Sequence, residues 1–275
     1  MRKLWIVAVT AVMVLAAVTA FALTRSANGA TAAVWSTTAA QPAAMPFQTG
    51  TVKVAGDTFF SWALMDRRTG QIWGSSTMDQ PSWSASMIKA WLAADYLRRT
   101  PAPSSDLLHT IEIMIRDSDN DGANTMYALD GQTDAINRLV SICGLSDSSP
   151  NSNNWAITNL SARDSVRMGD CIASGKGAGP QWTNWLLTQM RAVRGEGDFG
   201  IRDALPADQA AQVAIKNGWE DFDADGLYHV NCLAIGDTWT MAVMQQYEPH
   251  STWDADLALG TQRCTDVAKQ LLAEH

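Results

Sequence analysis

The sequence predicts an α/β domain of the α+β kind: an antiparallel sheet flanked by helices, with an all-helical region beside it. Three observations carry this. Strand-like runs occupy residues 58–73 and return between residues 211 and 246, while the stretch between them has helical periodicity. The helix opened by Ser84-Ala85-Ser86-Met87-Ile88-Lys89-Ala90-Trp91-Leu92-Ala93-Ala94 is apolar on nearly every side, as a helix packed on all faces is. A last helix, Asp254–Ala273, follows the closing strands.

In chain order, the N-terminal part stands apart. Arg2 and Lys3 precede an apolar run of 20 residues, Leu4–Leu23. A basic start followed by such a run is the pattern of an export signal, and its length also suffices to span a bilayer. Residues 1–23 are expected to be a signal peptide or an N-terminal membrane anchor. Ala20-Phe21-Ala22 and Ala30-Thr31-Ala32 both fit a cleavage pattern, and the lack of a nearby cysteine argues against a lipoprotein anchor. Residues 24–51, rich in Ala, Thr, Ser, Gln and Pro, read as a flexible linker. Residues 52–275 are long enough for one domain with a full core.

Within that domain, Phe59–Met65 is strand-like, Asp66–Gly70 is turn material and Gln71-Ile72-Trp73 starts a second strand, making a hairpin. The Ser86 helix runs to Arg99 and stops before Pro101 and Pro103. Leu107, Leu108, Ile111, Met114 and Ile115 mark a helix begun at Ser105. Further helices are expected over 123–128, 132–143, 161–174 and 182–192. Ser161-Ala162-Arg163-Asp164 reads as a capping box with Asp in place of Glu. Ala211–Lys216, Leu227–Ile235 and Trp239–Gln246 are strands, with turns at Asp221–Gly226 and Gly236-Asp237.

The net charge of −8 and the absence of a basic run argue against a nucleic-acid partner. The four cysteines, Cys143, Cys171, Cys232 and Cys264, favour disulfides in an exported chain, with three pairings open. None has C-x-x-C spacing, which disfavours zinc.

The chemistry is read from three short motifs. Ser86 and Lys89 stand at i and i+3, on one helix face. A lysine desolvated there becomes a usable base near neutral pH, and the unpaired N–H groups of the first turn suit an oxyanion. Ser118-Asp119-Asn120 follows where an apolar-period helix ends, and Lys216-Asn217-Gly218 lies at the end of a strand. Any one of these occurs often as a helix cap or a solvated strand end. S-x-x-K, S-D-N and K-[T/S]-G in that order form a signature, and over residues 52–275 the chain resembles the superfamily of penicillin-recognising serine enzymes, the class A β-lactamases and penicillin-binding proteins.

That resemblance implies roles. Ser86 would be the acylated nucleophile and Lys89 its base, and Ser118 would relay a proton to the leaving group. Asn120 would hold a substrate amide. Lys216 would supply positive charge to Ser118 and to a substrate carboxylate, with Asn217 and Gly218 completing that motif. The backbone N–H groups of Ser86 and Trp219 would form the oxyanion hole. The substrate would be a peptidoglycan peptide or a β-lactam, with no cofactor, on an enzyme secreted or held on the outer face of the bacterial cytoplasmic membrane. In this fold the terminal helix packs on the sheet, which implies the pairings Cys143–Cys171 and Cys232–Cys264.

Three departures bear on activity. Only 32 positions separate Ser86 from Ser118, so a loop walling one side of the cleft is missing. Asn217 stands where the family has Thr or Ser. The segment Ser148–Thr158 contains Asn151, Asn153 and Asn154 but no carboxylate, and the only Glu between Asn120 and Lys216 is Glu196. Amides cannot deprotonate water, so slow deacylation is expected. Three readings stay open: an acyl-serine hydrolase with slow deacylation, a β-lactamase with another deacylation route, and a catalytically degenerate scaffold.

Two other patterns draw the eye. Asp117–Gly122 and Asp221–Gly226 both match the start of an EF-hand loop, but their twelfth positions are Ala128 and Cys232. The bidentate Glu is missing from each, leaving at most a weak Ca²⁺ site at Asp221–Gly226. Among the 12 tryptophans, Trp83 and Trp219 flank motifs and are candidates for lining the cleft.

Overall fold

A computed structural model describes residues 52–53, 59–151, 154–250 and 252–272. The expected signal or anchor and the linker lie outside the described residues. Among the described residues, no helix is long and apolar enough to cross a membrane.

The first strand, β1 (Phe60–Asp66), is buried along nearly its whole length and pairs antiparallel with β2 (Ile72–Gly74). A short β3 (Pro81–Trp83) leads into a 3₁₀ turn at Ala85–Ile88 and then α1 (Lys89–Arg99). Every residue of α1 from Lys89 to Leu97 is buried, as its all-round apolar sequence requires. The helical region continues with α2 (Ser105–Arg116), α3 (Asn120–Leu129) and α4 (Thr133–Cys143). β3 pairs antiparallel with β4 (Asn159–Ser161), which precedes α5 (Ala162–Ala173) and α6 (Thr183–Arg191). A short α7 (Ala207–Ala210) precedes the sheet strands β5 (Ala214–Ile215), β6 (Gly218–Phe222), β7 (Leu227–Ile235) and β8 (Trp239–Tyr247), and α8 (Trp253–Leu272) ends the chain.

The sheet order is β2-β1-β8-β7-β5, with β6 also paired to β7. β5 and β6 lie one after the other along β7: Ile215 pairs with Ala234, and Gly218 with Asn231. The Lys216–Asn217 pair falls in the break between them. Helix α5 packs on β1, β7 and β8, and α8 packs on β7 and β8.

Four details differ from the sequence reading. The expected strand 211–216 shrinks to two residues, because Ala211, Gln212 and Val213 donate back to Ala207, Gln209 and Ala210 and finish a helical turn. Residues 218–222 form a strand, which takes in Asp221 and Phe222 of the expected 221–226 turn. Gly, Glu and Asp are poor strand formers, and pairing with β7 supplies what propensity does not. Residues Ala85–Ile88 form a 3₁₀ turn ahead of α1, entered through Ala85 at a positive φ of 45°. The Ser161 hydroxyl caps α5 by accepting from Asp164 N at 3.0 Å, but the return bond of a capping box is not made. The Asp164 carboxylate instead accepts from Ser146 N, Asp147 N and the Ser148 hydroxyl.

Cys143 is bonded to Cys171, joining α4 to α5, and Cys232 to Cys264, joining β7 to α8. No group of three metal-ligating side chains occurs among the described residues. In the 221–226 turn, Asp225 accepts from Leu227 N and pairs with His229.

Candidate active site

The three motifs come from three separate parts of the chain's element order: the turn into α1, the α2–α3 corner and the β5–β6 break. Ser86 lies in the turn between β3 and α1, half-buried among buried neighbours. Strand β6 presses on that turn: a Cβ at Gly218 would fall 2.6 Å from Ser84 O, Ser86 N and Met87 N. Only glycine permits this approach.

Lys89, one turn on, is fully buried. Its ammonium donates to Ser118 O at 2.5 Å, Asn120 Oδ1 at 2.6 Å and Ser118 Oγ at 3.3 Å. Its Nζ also stands 4.8 Å from the centre of the Trp155 ring. Ser118 occupies the corner between α2 and α3 with a positive φ of 59°, and the Asp119 carboxylate caps α3 by accepting from Gly122 N at 2.6 Å. Ala85 and Ser118 are two of the three non-glycine residues with positive φ among those described. Backbone strain of this kind collects at functional sites.

Lys216 is fully buried as well. It reaches Ser118 Oγ at 2.9 Å and Asn217 O at 3.2 Å. Neither lysine has a carboxylate within ion-pair distance among the described residues. Burial pulls Lys89 down to about 7, against partial support from the charges of Asp119 and Glu220. Burial, then the charge of Lys89, lowers Lys216 well below the usual lysine range.

The structure thus brings Lys89, Ser118, Asn120 and Lys216 into direct contact, with Ser86 on the adjoining turn. The Ser86 hydroxyl makes no hydrogen bond among the described residues. Asn217 meets the cluster only through its backbone oxygen. Its Nδ2 donates to Gly197 O at 3.0 Å and Phe199 O at 2.7 Å, inside the protein. Trp219 packs edge-on to Phe199, and Trp83 stacks on His229. Both rings flank the motifs while remaining partly exposed.

Two groups escaped the sequence reading. Trp155, in the carboxylate-free loop, lays its ring by Lys89 and anchors its indole N–H on Asn124 Oδ1 at 2.9 Å. It also walls a cavity of about 490 Å³ lined with Asn124, Tyr127, Gln132 and Asn154. Glu220, on β6, is half-buried, and burial raises its carboxyl above the usual range. Glu220 lies past the third motif, outside the interval searched for a carboxylate; its place beside Trp219 was the available signal.

Residues 98–244 match the family described as the beta-lactamase enzyme family. The matched stretch contains Ser118, Asn120 and Lys216–Trp219 and begins after Lys89. The chain is 29% identical over 190 residues to proteins named lipoprotein LppW in Mycobacterium tuberculosis and Mycobacterium bovis, covering 64% of this chain and 59% of theirs. It therefore spans 59% of the length of these curated relatives. Among solved structures it is similar to a beta-lactamase from Chitinophaga pinensis, with a TM-score of 0.62 and 18% identity over 77% of this chain and 93% of that one. An ancestral class A beta-lactamase (GNCA) gives a TM-score of 0.62 and 16% identity over 78% and 94%. At such identities the likeness is one of fold.

Proposed function

The chain belongs to the beta-lactamase enzyme family, and from that premise we propose that it is an exported serine hydrolase that forms an acyl-enzyme on a β-lactam or a peptidoglycan peptide and releases it slowly. Ser86 is the nucleophile, Lys89 its base, and Ser118 the relay to the leaving group.

One observation carries this reading above the others: the Ser118 hydroxyl receives both Lys89 and Lys216, at 3.3 and 2.9 Å, and neither lysine is neutralised by a contacting carboxylate. Two desolvated cations facing one oxygen disfavour the doubly charged state. One of them then carries a free lone pair near neutral pH, the requirement for a base. Lys89 stands one turn on from Ser86 and takes the hydroxyl proton as Oγ attacks the carbonyl. Ser118 passes a proton on to the leaving nitrogen, and Lys216 holds the charge that collects there. The N–H groups of Ser86 and Trp219 receive the oxyanion. Asn120, whose Oδ1 is taken by Lys89, offers its NH₂ to a substrate carbonyl.

Deacylation needs a base beside the ester. The ring of Trp155, not a carboxylate, lies against Lys89 from the 148–158 loop, which supports a long-lived adduct. The relatives' name, lipoprotein, fits an exported location.

A scaffold reading draws on the Ser86 hydroxyl, which makes no hydrogen bond to Lys89. Such bonds tighten in substrate complexes, so the arrangement is compatible with catalysis.

Incubation with a fluorescent penicillin followed by intact-mass measurement separates the readings. A covalent adduct on the protein, lost in Ser86→Ala, is the expected result. No adduct on the unaltered chain supports the scaffold, and fast turnover without accumulating adduct supports the β-lactamase.

A further inference from the structure

Resting on the acyl-serine reading, the remaining question is which group activates water against the ester. Several other carboxylates are committed to partners of their own. Asp147 is clasped by Arg163 through bonds of 2.8 and 2.7 Å and accepts from the Ser161 hydroxyl. Asp164 is fully buried and takes Ser146 N, Asp147 N, the Ser148 hydroxyl and Arg167. Asp119 caps α3. Glu196 accepts from the Trp253 indole at 3.3 Å.

Glu220 is different. Side chains alternate along a strand, so Gly218 and Glu220 share one face of β6. That face is the one pressed on the nucleophile turn, since a Cβ on Gly218 would meet Ser86 N at 2.6 Å. The Cα of Glu220 lies about 6.6 Å farther along the same face, close enough for its long side chain and one bridging water to reach an ester on Ser86. Glu220 has no ion-pair partner among the described residues. The Asp221 backbone N–H supports the Glu220 carboxylate, whose charged neighbours are Asp221 and Asp223 on its own hairpin and Lys89. Burial favours its proton-holding form, and Lys89 opposes this, as befits a carboxylate that must take up a proton during reaction.

We infer that Glu220 is the general base of deacylation, acting from strand β6 where the 148–158 loop has no carboxylate. Glu220 takes one proton from water as the water oxygen bonds to the acyl carbon. The tetrahedral adduct collapses, the bond from the acyl carbon to Ser86 Oγ breaks, and the proton returns to Oγ. The products are a free carboxylic acid and the restored Ser86 hydroxyl.

The test uses the full chain and its Glu220→Gln variant. Each is loaded with a fluorescent penicillin, free penicillin is removed, and adduct decay is followed by intact mass, so the rate of loading does not enter. The variant's adduct should outlive the unaltered one by roughly 10²-fold. Hydroxylamine, a nucleophile that needs no base, should discharge both at the same rate. Equal lifetimes, or an unaltered adduct that does not decay, overturn the assignment while leaving acylation of Ser86 intact. Slower discharge of the variant by hydroxylamine also overturns it, because the substitution then acts through access to the ester. Absence of any adduct on the unaltered chain overturns the acyl-serine reading, and this inference falls with it.

Discussion

Lys89 and Lys216, far apart in sequence, donate to the same oxygen, Ser118 Oγ, at 3.3 and 2.9 Å. Both are fully buried. The arrangement is expensive as structure, because each ammonium is taken out of water without a contacting counter-ion. It is useful as chemistry for the same reason: desolvation makes a lysine give up its proton near neutral pH.

The first prediction follows from that proton. Lys89 titrates near 7 in the folded protein, so acylation by penicillin should rise with pH through about 7 and fall about tenfold per unit well below it. Stability runs the same way. Between about 7 and the ordinary lysine value the unfolded chain binds the extra proton, so this group's contribution makes the fold more stable as pH rises. Lys89→Met should abolish acylation and raise Tm, most at or below pH 7 and least near pH 10.5. Stopped-flow acylation and thermal melts across pH check both. A variant Tm gain that does not shrink with rising pH contradicts the titration.

A second prediction concerns Gly218. Its absent side chain lets β6 lie against the backbone of Ser84, Ser86 and Met87. Gly218→Ala should push the strand off the nucleophile turn and lower the acylation rate on the order of 10²-fold, with the far-UV circular dichroism retained. Acylation at the original rate would mean that this contact does not set the geometry.

The third separates two roles for Asn217. Its amide is spent on Gly197 O and Phe199 O. Asn217→Ala should therefore strand these carbonyls and cost about 1–3 kcal/mol, read as a lowered denaturant midpoint. If Asn217 instead held the substrate carboxylate, penicillin affinity would fall while stability stayed level.

The fourth concerns the cross-links. Non-reducing peptide mapping should recover Cys143–Cys171 and Cys232–Cys264. Each closes a loop of moderate length, 28 and 32 residues apart. Removing either pair by double Ala substitution should cost about 2–4 kcal/mol. Any other pairing contradicts the packing of α8 on β7.

By itself the sequence determined whatever depends on near neighbours. The buried helix α1 was legible because apolar residues at helical spacing need a partner on every side. Ser86 and Lys89 were legible as a pair because three positions make one helical turn. The order of the three motifs named the family. Tertiary structure decided what depends on neighbours distant in the chain. The meeting at Ser118 Oγ spans separations of 29 and 98 residues, and no local pattern encodes it. Strand β6 exists because β7 pairs with it, against the propensities of Gly218, Glu220 and Asp221. Asn217 resembled a substrate ligand in the motif, and only the fold shows its amide nitrogen bonded to Gly197 O and Phe199 O. The Trp155 ring by Lys89 was likewise invisible in the sequence, and for Glu220 the sequence offered only its place beside Trp219. Desolvation belongs to a place in the fold, and the place is made by all the layers that close around it.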